Sequence, residues 1–349
     1  MPWQHLLQQW RDHGRGRPLL LRVDQAEPRY NEALQTAVAA CAADTAGQTC
    51  YICYGEGDED EGLVRRCSCR GENGFVHLSC LVRAAQVAVE RGGGPGWERW
   101  DTCGLCEQEY YGDVLCALGW ACWKTYMGRP ETDLARRFAM TRLGHGLLET
   151  RHHEDAVSVM EAQLSLELRL GAPERLMLVV RSNLASSYEA LGRNEEAMNL
   201  QQDVYSGCLR LNGEEHYDTL LAANNYAVSL ACHDRFEEAK SLYRKSIPVA
   251  QRVLGESNEI TLKMRKSYAT VLYRDPTATL FDLRKAVTML EELAPTALRV
   301  LGGAHPIATE LQLCLQNARA ALGAREEAVP GDVSSVCGQM AAMRTPGDA

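Results

Sequence analysis

No apolar run in these 349 residues is long enough to cross a membrane. The longest, Val114 to Trp123, is about ten residues, against the roughly 20 that a spanning helix needs. The opening Met1-Pro2-Trp3-Gln4-His5 lacks the unbroken apolar core of a secretory signal, so none is expected. Positive charge is also short: 37 Lys and Arg against 46 Asp and Glu leave a net charge of -9. Nucleic-acid phosphates must be neutralised by a basic face, so no nucleic-acid partner is expected.

What is plentiful is cysteine, with 14 residues. In a small secreted protein that number would suggest a disulfide framework. Here four ligand pairs run Cys50-x2-Cys53, Cys67-x-Cys69, His77-x2-Cys80 and Cys103-x2-Cys106. Each pair is spaced so that one tight turn aims two side chains at one metal, and four pairs suffice for two closed tetrahedral zinc sites. With every position filled by protein, such zincs are structural and do not activate water. Cys41, Cys116, Cys122, Cys208, Cys232 and Cys314 stand mostly in helical apolar contexts, and Cys337 in the tail. Unpaired thiols beside zinc pairs fit a reducing compartment, cytoplasmic with the nucleus left open.

Four Cys, one His, then three Cys is an order found in two families, the RING-CH (RINGv) finger of membrane-associated ubiquitin ligases and the PHD finger that reads histone tails. Seven residues separate Cys69 from His77, and one separates Cys67 from Cys69. Both spacings resemble RING-CH, as do Cys50-Tyr-Ile52-Cys53, Cys69-Arg70-Gly71 and Val76-His77-x2-Cys80-Leu81. A PHD finger typically carries an aromatic residue two places before the last Cys pair, where this chain has Asp101, next to Trp100.

The RING-CH resemblance implies a cross-brace. Cys50, Cys53, His77 and Cys80 would hold one zinc, and Cys67, Cys69, Cys103 and Cys106 the other. It also implies a surface that docks a ubiquitin-charged conjugating enzyme, with Ile52 matching the family's docking residue and Leu105 on the second loop. No residue of such a finger acts as nucleophile or base, and thiolates held by zinc form no covalent ubiquitin intermediate. Two positions depart from the family: Ala84 stands where many members have Trp, and Glu107 where many active fingers have a cation. Trp97 and Trp100 are candidates for the missing aromatic surface. Asp58-Glu59-Asp60-Glu61, between the first two pairs, reads as a solvated loop.

The remainder repeats itself. Asn183 and Asn225 are 42 residues apart, as are Ala197 and Ala239, Gly213 and Gly255, Glu214 and Glu256, Thr219 and Thr261, and Leu220 and Leu262. Each unit reads as a helical hairpin. Leu184, Ala185, Tyr188 and Leu191 mark a first helix, Gly192-Arg193-Asn194 a turn, and Glu195 to Leu211 a second helix ending at Asn212-Gly213-Glu214. The pattern resembles the tetratricopeptide repeat. Its length and the Leu-Gly-Glu-x-His/Asn-x-x-Thr-Leu turn resemble the kinesin-light-chain variant. The units are 134–175, 176–217, 218–264 and 265–320, the last with extra residues at Asp275-Pro276-Thr277-Ala278. Ala185, Ala197, Ala227, Ala239 and Ala269, with Tyr188, Tyr226 and Tyr268, are the expected core. The resemblance implies a concave groove for a protein or peptide, in which Arg181, Asn183, Asn225, Arg265 and Lys266 would hold the backbone and acidic groups of the guest.

The expected fold is mostly α, a small cross-brace two-zinc finger followed by an α-helical solenoid. Its parts are an N-terminal extension at 1–45, the finger at 46–110, a connecting helix at 111–130, about four repeats at 131–322 and a disordered tail at 323–349. The expected function is a RING-CH-type ubiquitin ligase or ligase adaptor, with a non-catalytic zinc-binding scaffold or peptide-binding protein as the alternative.

Overall fold

The computed structural model describes residues 21–328 apart from 58–60, 70, 72, 93 and 304. Cys337 and the ends of the chain therefore lie outside the described residues. Twelve α-helices and one two-stranded sheet are found among the described residues.

The first part contains α1 (Val23–Thr45), β1 (Leu63–Val64), β2 (Val76–His77), α2 (Leu78–Glu90), a 3-10 turn (Gly94–Trp100) and α3 (Gly112–Tyr126). The strands are antiparallel, with Leu63 opposite His77 and Val64 opposite Val76. Helix α1 gives the N-terminal extension a structural role. It buries Ala26, Ala37 and Cys41 and contacts both β1 and α3. A Cβ on Gly62 would run into the Val38 side chain, so only glycine lets α1 come this close. Two bonds fix the contact: the Arg65 N–H donates to Cys41 Sγ at 3.4 Å, and Arg66 Nη2 donates to the Ala40 carbonyl at 2.7 Å.

The repeats follow as hairpins α4 (Leu134–Glu149) with α5 (His153–Arg169), α6 (Glu174–Ala190) with α7 (Asn194–Asn212), α8 (Tyr217–Cys232) with α9 (Phe236–Leu254), and α10 (Glu259–Arg274) with α11 (Leu280–Leu301). A last helix, α12 (Pro306–Ala328), closes the stack. It continues through residues 323–328, which the sequence reading placed in a disordered tail. The fourth hairpin starts at Glu259, so the expected boundary at 264/265 falls inside a helix. Asn258 explains this start, because its side chain accepts from the Ile260 N–H at 2.9 Å and caps α10.

The recurrent turn now has a physical reason. Gly213, Gly255 and Gly302 hold φ of 80°, 89° and 88°, the left-handed side that releases a helix C-terminus at little cost to glycine. Three residues on, His216, Asn258 and His305 each accept the N–H two residues further along and start the next helix. The small-residue positions Ala185, Ala197, Ala227, Ala239 and Ala269 are fully buried, Tyr188 and Tyr268 are buried, and Tyr226 is half-buried.

Helix α3 joins the two parts. Its eleven buried residues include Trp120, Trp123 and Tyr126, and its finger side shares a core with Cys50, Phe75 and Leu78. Its other side packs on α4 through Ala139, Leu143 and Leu147.

Candidate zinc centres and the faces around them

Each zinc loop is built as a knuckle, and the two knuckles are the same structure 53 residues apart. Thr49 bridges Glu56 and Thr102 bridges Glu109. Inside them the Cys50 N–H donates to the Gly55 carbonyl at 2.8 Å and the Cys103 N–H to the Gln108 carbonyl at 2.9 Å. The residue after the second Cys is left-handed in both, Tyr54 at φ 61° and Glu107 at φ 56°. Backbone N–H groups of Ile52 and Leu105 point at Cys50 Sγ and Cys103 Sγ at 3.4 and 3.5 Å, the arrangement that steadies a thiolate.

The knuckles bring the eight ligand atoms into two clusters, Cys50, Cys53, His77 and Cys80, and Cys67, Cys69, Cys103 and Cys106. Within each cluster the ligand atoms all lie within 4.8 Å of one another. Thiolates about 2.3 Å from a tetrahedral zinc stand roughly 3.8 Å apart, and Cys69 Sγ and Cys103 Sγ are 3.8 Å apart. His77 fits as a ligand through Nδ1, which faces Cys53 Sγ at 3.3 Å, while its Nε2–H donates to the Glu56 carbonyl at 3.1 Å and sets the tautomer. Gly74, at φ 89°, makes room for the second centre, since a Cβ there would sit 2.6 Å from Cys69 Cβ. The donor sets are those of two structural zincs, and they interleave as a cross-brace.

Burial pushes the Cys69 and Cys80 thiols up to about 12. Burial alone would lower the His77 pKa, but contact with Cys53 and with the Glu56 carbonyl raises it. A zinc ion entering either centre displaces protons, so its affinity is steep in pH.

On the outside of the knuckles Ile52, Tyr54 and Leu105 are exposed at 37%, 81% and 51%, and Ala84 is exposed on α2. Trp97 and Trp100 do not complete this surface. Trp100 is fully buried, and Trp97 stacks on Phe138 of α4 and tilts against Tyr126 of α3. Both tryptophans serve the join to the repeats, where Asp101 also pairs with Arg142 of α4. Glu61 is more than a solvated loop residue: its carboxylate accepts the Ser79 N–H and hydroxyl, each at 2.8 Å, at the first turn of α2.

The groove candidates divide. Asn183 and Asn225 share a repeat position with Ser267, which lines a cavity on the inner face. Asn225 Nδ2 donates to Ser182 Oγ at 3.4 Å, linking α8 to α6. Arg181 and Arg265 also share a repeat position, but each turns to an acid on the second helix of its own hairpin. Arg265 pairs with Glu292 at 3.2 Å and with Glu256 at 2.9 Å, and Arg181 lies in the field of Asp203. Lys266 pairs with Glu310. The sequence could not reveal these partners because the acids have no fixed spacing from the arginines.

Comparison with known proteins agrees with this architecture. The RING-variant domain matches residues 50–106, and a tetratricopeptide repeat family matches residues 176–252. The chain thus joins a RING-variant zinc finger to a tetratricopeptide-repeat solenoid. Among solved structures, a putative kinesin light chain from Podosopora anserina with nearly identical TPR-like repeats is similar at 20% identity, over 62% of this chain and 100% of that chain, with a TM-score of 0.45. A single-residue variant of that protein is 21% identical over 59% and 93% of the two chains, also with a TM-score of 0.45. BtubC (BKLC) from P. vanneervenii is 15% identical over 78% and 93%, with a TM-score of 0.44. No curated protein matches the chain. Among the described residues no helix is long and apolar enough to cross a membrane.

Proposed function

We propose that this chain is a RING-CH-type ubiquitin ligase or ligase adaptor. The finger receives a ubiquitin-charged conjugating enzyme, and the repeats hold a substrate or partner protein. The observation that carries the reading is the pair Ile52 and Leu105. They occupy equivalent places on the two zinc knuckles, both are exposed, and knuckles braced by zinc keep them in fixed relation. Two apolar side chains left in water on rigid loops make a docking surface with little ordering cost. No cation follows the last Cys, but the Arg99 guanidinium lies against the same knuckle, 3.1 Å from where a Gly104 Cβ would stand. Asn183 and Asn225 are the proposed contacts in the repeat groove. The free thiols beside zinc centres fit a cytoplasmic setting.

The test is autoubiquitination by the purified chain with a panel of conjugating enzymes, beside Ile52→Ala and Cys50→Ser/Cys53→Ser forms of measured zinc content. Chains that vanish in Ile52→Ala while zinc is retained support the ligase. A second reading, a zinc-braced scaffold without transfer activity, is favoured by exposed Ala84 and by Glu107 in the cation's place. Absence of chains from a folded protein holding two zincs would establish that reading.

A further inference from the structure

The finger's last loop does not end in solvent. Glu109, Tyr110 and Tyr111 form one wall of a cavity of about 350 Å³, and Leu115 of α3 with residues of α4, α8, α10 and the start of α12 form the others. The repeat groove is therefore a composite of both domains at this point. Its charged lining consists of Glu109, Glu149, Glu259, Lys263, Lys266 and Glu310. Both lysines are already committed. Lys263 pairs with Glu259 at 2.6 Å, and Lys266 pairs with Glu310. His145 and His305 also line the cavity, and burial lowers the pKa of each, which favours the uncharged imidazole. The carboxylates of Glu109 and Glu149 are left without a hydrogen bond or ion pair among the described residues. Desolvation and then the nearby Glu259 raise the Glu109 pKa against the pull of Lys263 and Arg142, and both Glu109 and Glu149 remain open to solvent.

We propose that this cavity binds a basic side chain, lysine or arginine, on a segment of the partner protein, with Glu109 of the finger and Glu149 of α4 as its counter-ions. The proposal rests on the reading that the repeats hold a protein partner, and it gives that partner's charge. It reverses the preference for acidic groups that the repeat resemblance implies, because Lys263, Arg265 and Lys266 are all neutralised within the chain. The finger supplies half of the site. Glu109 is held by its bridge to Thr102 across the second zinc knuckle, so guest recognition and zinc binding are linked.

The experiment is a fluorescence-anisotropy titration of the full zinc-loaded chain with labelled, end-blocked hexalysine, and with hexaglutamate as the opposite probe. Three proteins are compared at matched ionic strength: wild type, Glu109→Gln/Glu149→Gln, and Glu195→Gln/Glu327→Gln. The last removes the same charge from exposed acids outside the cavity. Zinc content and melting temperature verify the fold of each. Hexalysine should bind the wild type and the outer control within about twofold of each other, and bind the cavity variant at least about tenfold more weakly. Equal loss in both variants would mean a diffuse effect of the net charge of -9 and would overturn the site. So would undetectable hexalysine binding, or tighter binding of hexaglutamate. No conjugating enzyme or ubiquitin is present, so failure here is separate from failure of the ligase assay.

Discussion

At the residue scale, Asp275 shows how one side chain can explain an irregularity in a repeat. The last hairpin carries an insertion, and Ala286 lies 47 residues beyond Ala239 where the period is 42. Asp275 organises it. Its Oδ1 accepts the Thr277 N–H at 2.8 Å and the Thr277 hydroxyl at 2.7 Å, while Oδ2 receives the Lys240 ammonium at 2.6 Å. Both side chains of the ion pair are buried, at 7% and 3% exposure. Burial alone would raise the Asp275 pKa, but the bonds from Lys240 and Thr277 outweigh it and hold the carboxyl below its usual range. The Lys240 pKa is raised, since Asp275 and Glu237 outweigh its desolvation. The depressed acid stabilises the fold above the ordinary carboxylate range, and that contribution is lost as pH falls through its folded pKa. The raised lysine stabilises below the ordinary lysine range, and that contribution is lost as pH rises through its folded pKa. Across neutral pH the pair contributes in full. Asp275→Asn leaves a buried ammonium with only exposed Glu237, and is expected to destabilise the repeats by about 3 kcal/mol, read from the urea midpoint at pH 7. The insertion was legible in the sequence. Its partner, 35 residues earlier, was not, because an ion pair across two hairpins leaves no periodic trace.

At the element scale, the join between finger and repeats depends on how closely two helices approach. A Cβ on Gly119 of α3 would lie 2.8 Å from the Arg142 carbonyl oxygen, and one on Gly146 of α4 would lie 2.7 Å from Cys116 Cα. Glycine inside a helix costs about 1 kcal/mol relative to alanine, and here that cost permits backbone contact. Gly119→Val or Gly146→Val is expected to lower stability by about 1–3 kcal/mol through overpacking, measured as a fall in melting temperature. Gly323 in α12 is the contrast, since nothing lies within 4 Å of its Cβ position. Gly323→Ala there should raise stability by up to about 1 kcal/mol. Helix α3 was readable because ten apolar residues in succession too short for a membrane point to burial on all sides. The packing role of helix α1 was not, because its buried face consists of Ala26, Ala37 and Cys41, residues too small and too widely spaced to stand out as an amphipathic stripe. The ligand pairs were fully readable, since metal chemistry fixes both residue type and spacing. The inner face of the repeats was only partly readable. Periodicity put Asn183 and Asn225 at one repeat position, but an arginine long enough to reach either helix of its hairpin does not show its direction in the sequence.

For the whole molecule, the decisive question is how far the loss of zinc spreads. The core of the finger is thin. Leu63, Val64, Phe75 and Val76 supply it together with the ligands themselves, and α1 and α3 cover it. Metal binding must therefore provide much of the finger's folding free energy. The repeats from α6 onward have cores of their own around Leu184, Tyr188, Tyr243 and Leu272. A chelator at neutral pH is expected to abolish the finger's structure and leave the repeat helices standing. In a urea titration followed by far-ultraviolet circular dichroism, the chelated chain should keep the main helical transition. The tryptophan signal from Trp97 and Trp100 should change without denaturant. Acid should act like the chelator, because thiols pushed up to about 12 at Cys69 and Cys80 must lose their protons to zinc, and each proton competes harder as pH falls. Zinc release followed with a metal-sensitive dye should therefore steepen below neutral pH. The same treatment should remove hexalysine binding, because Glu109 loses the bridge that positions it. If the chelated chain loses its main helical transition together with the finger, α3 transmits the collapse of one domain into the other. The two halves would then form a single folding unit, and their shared cavity would be the seam of that unit.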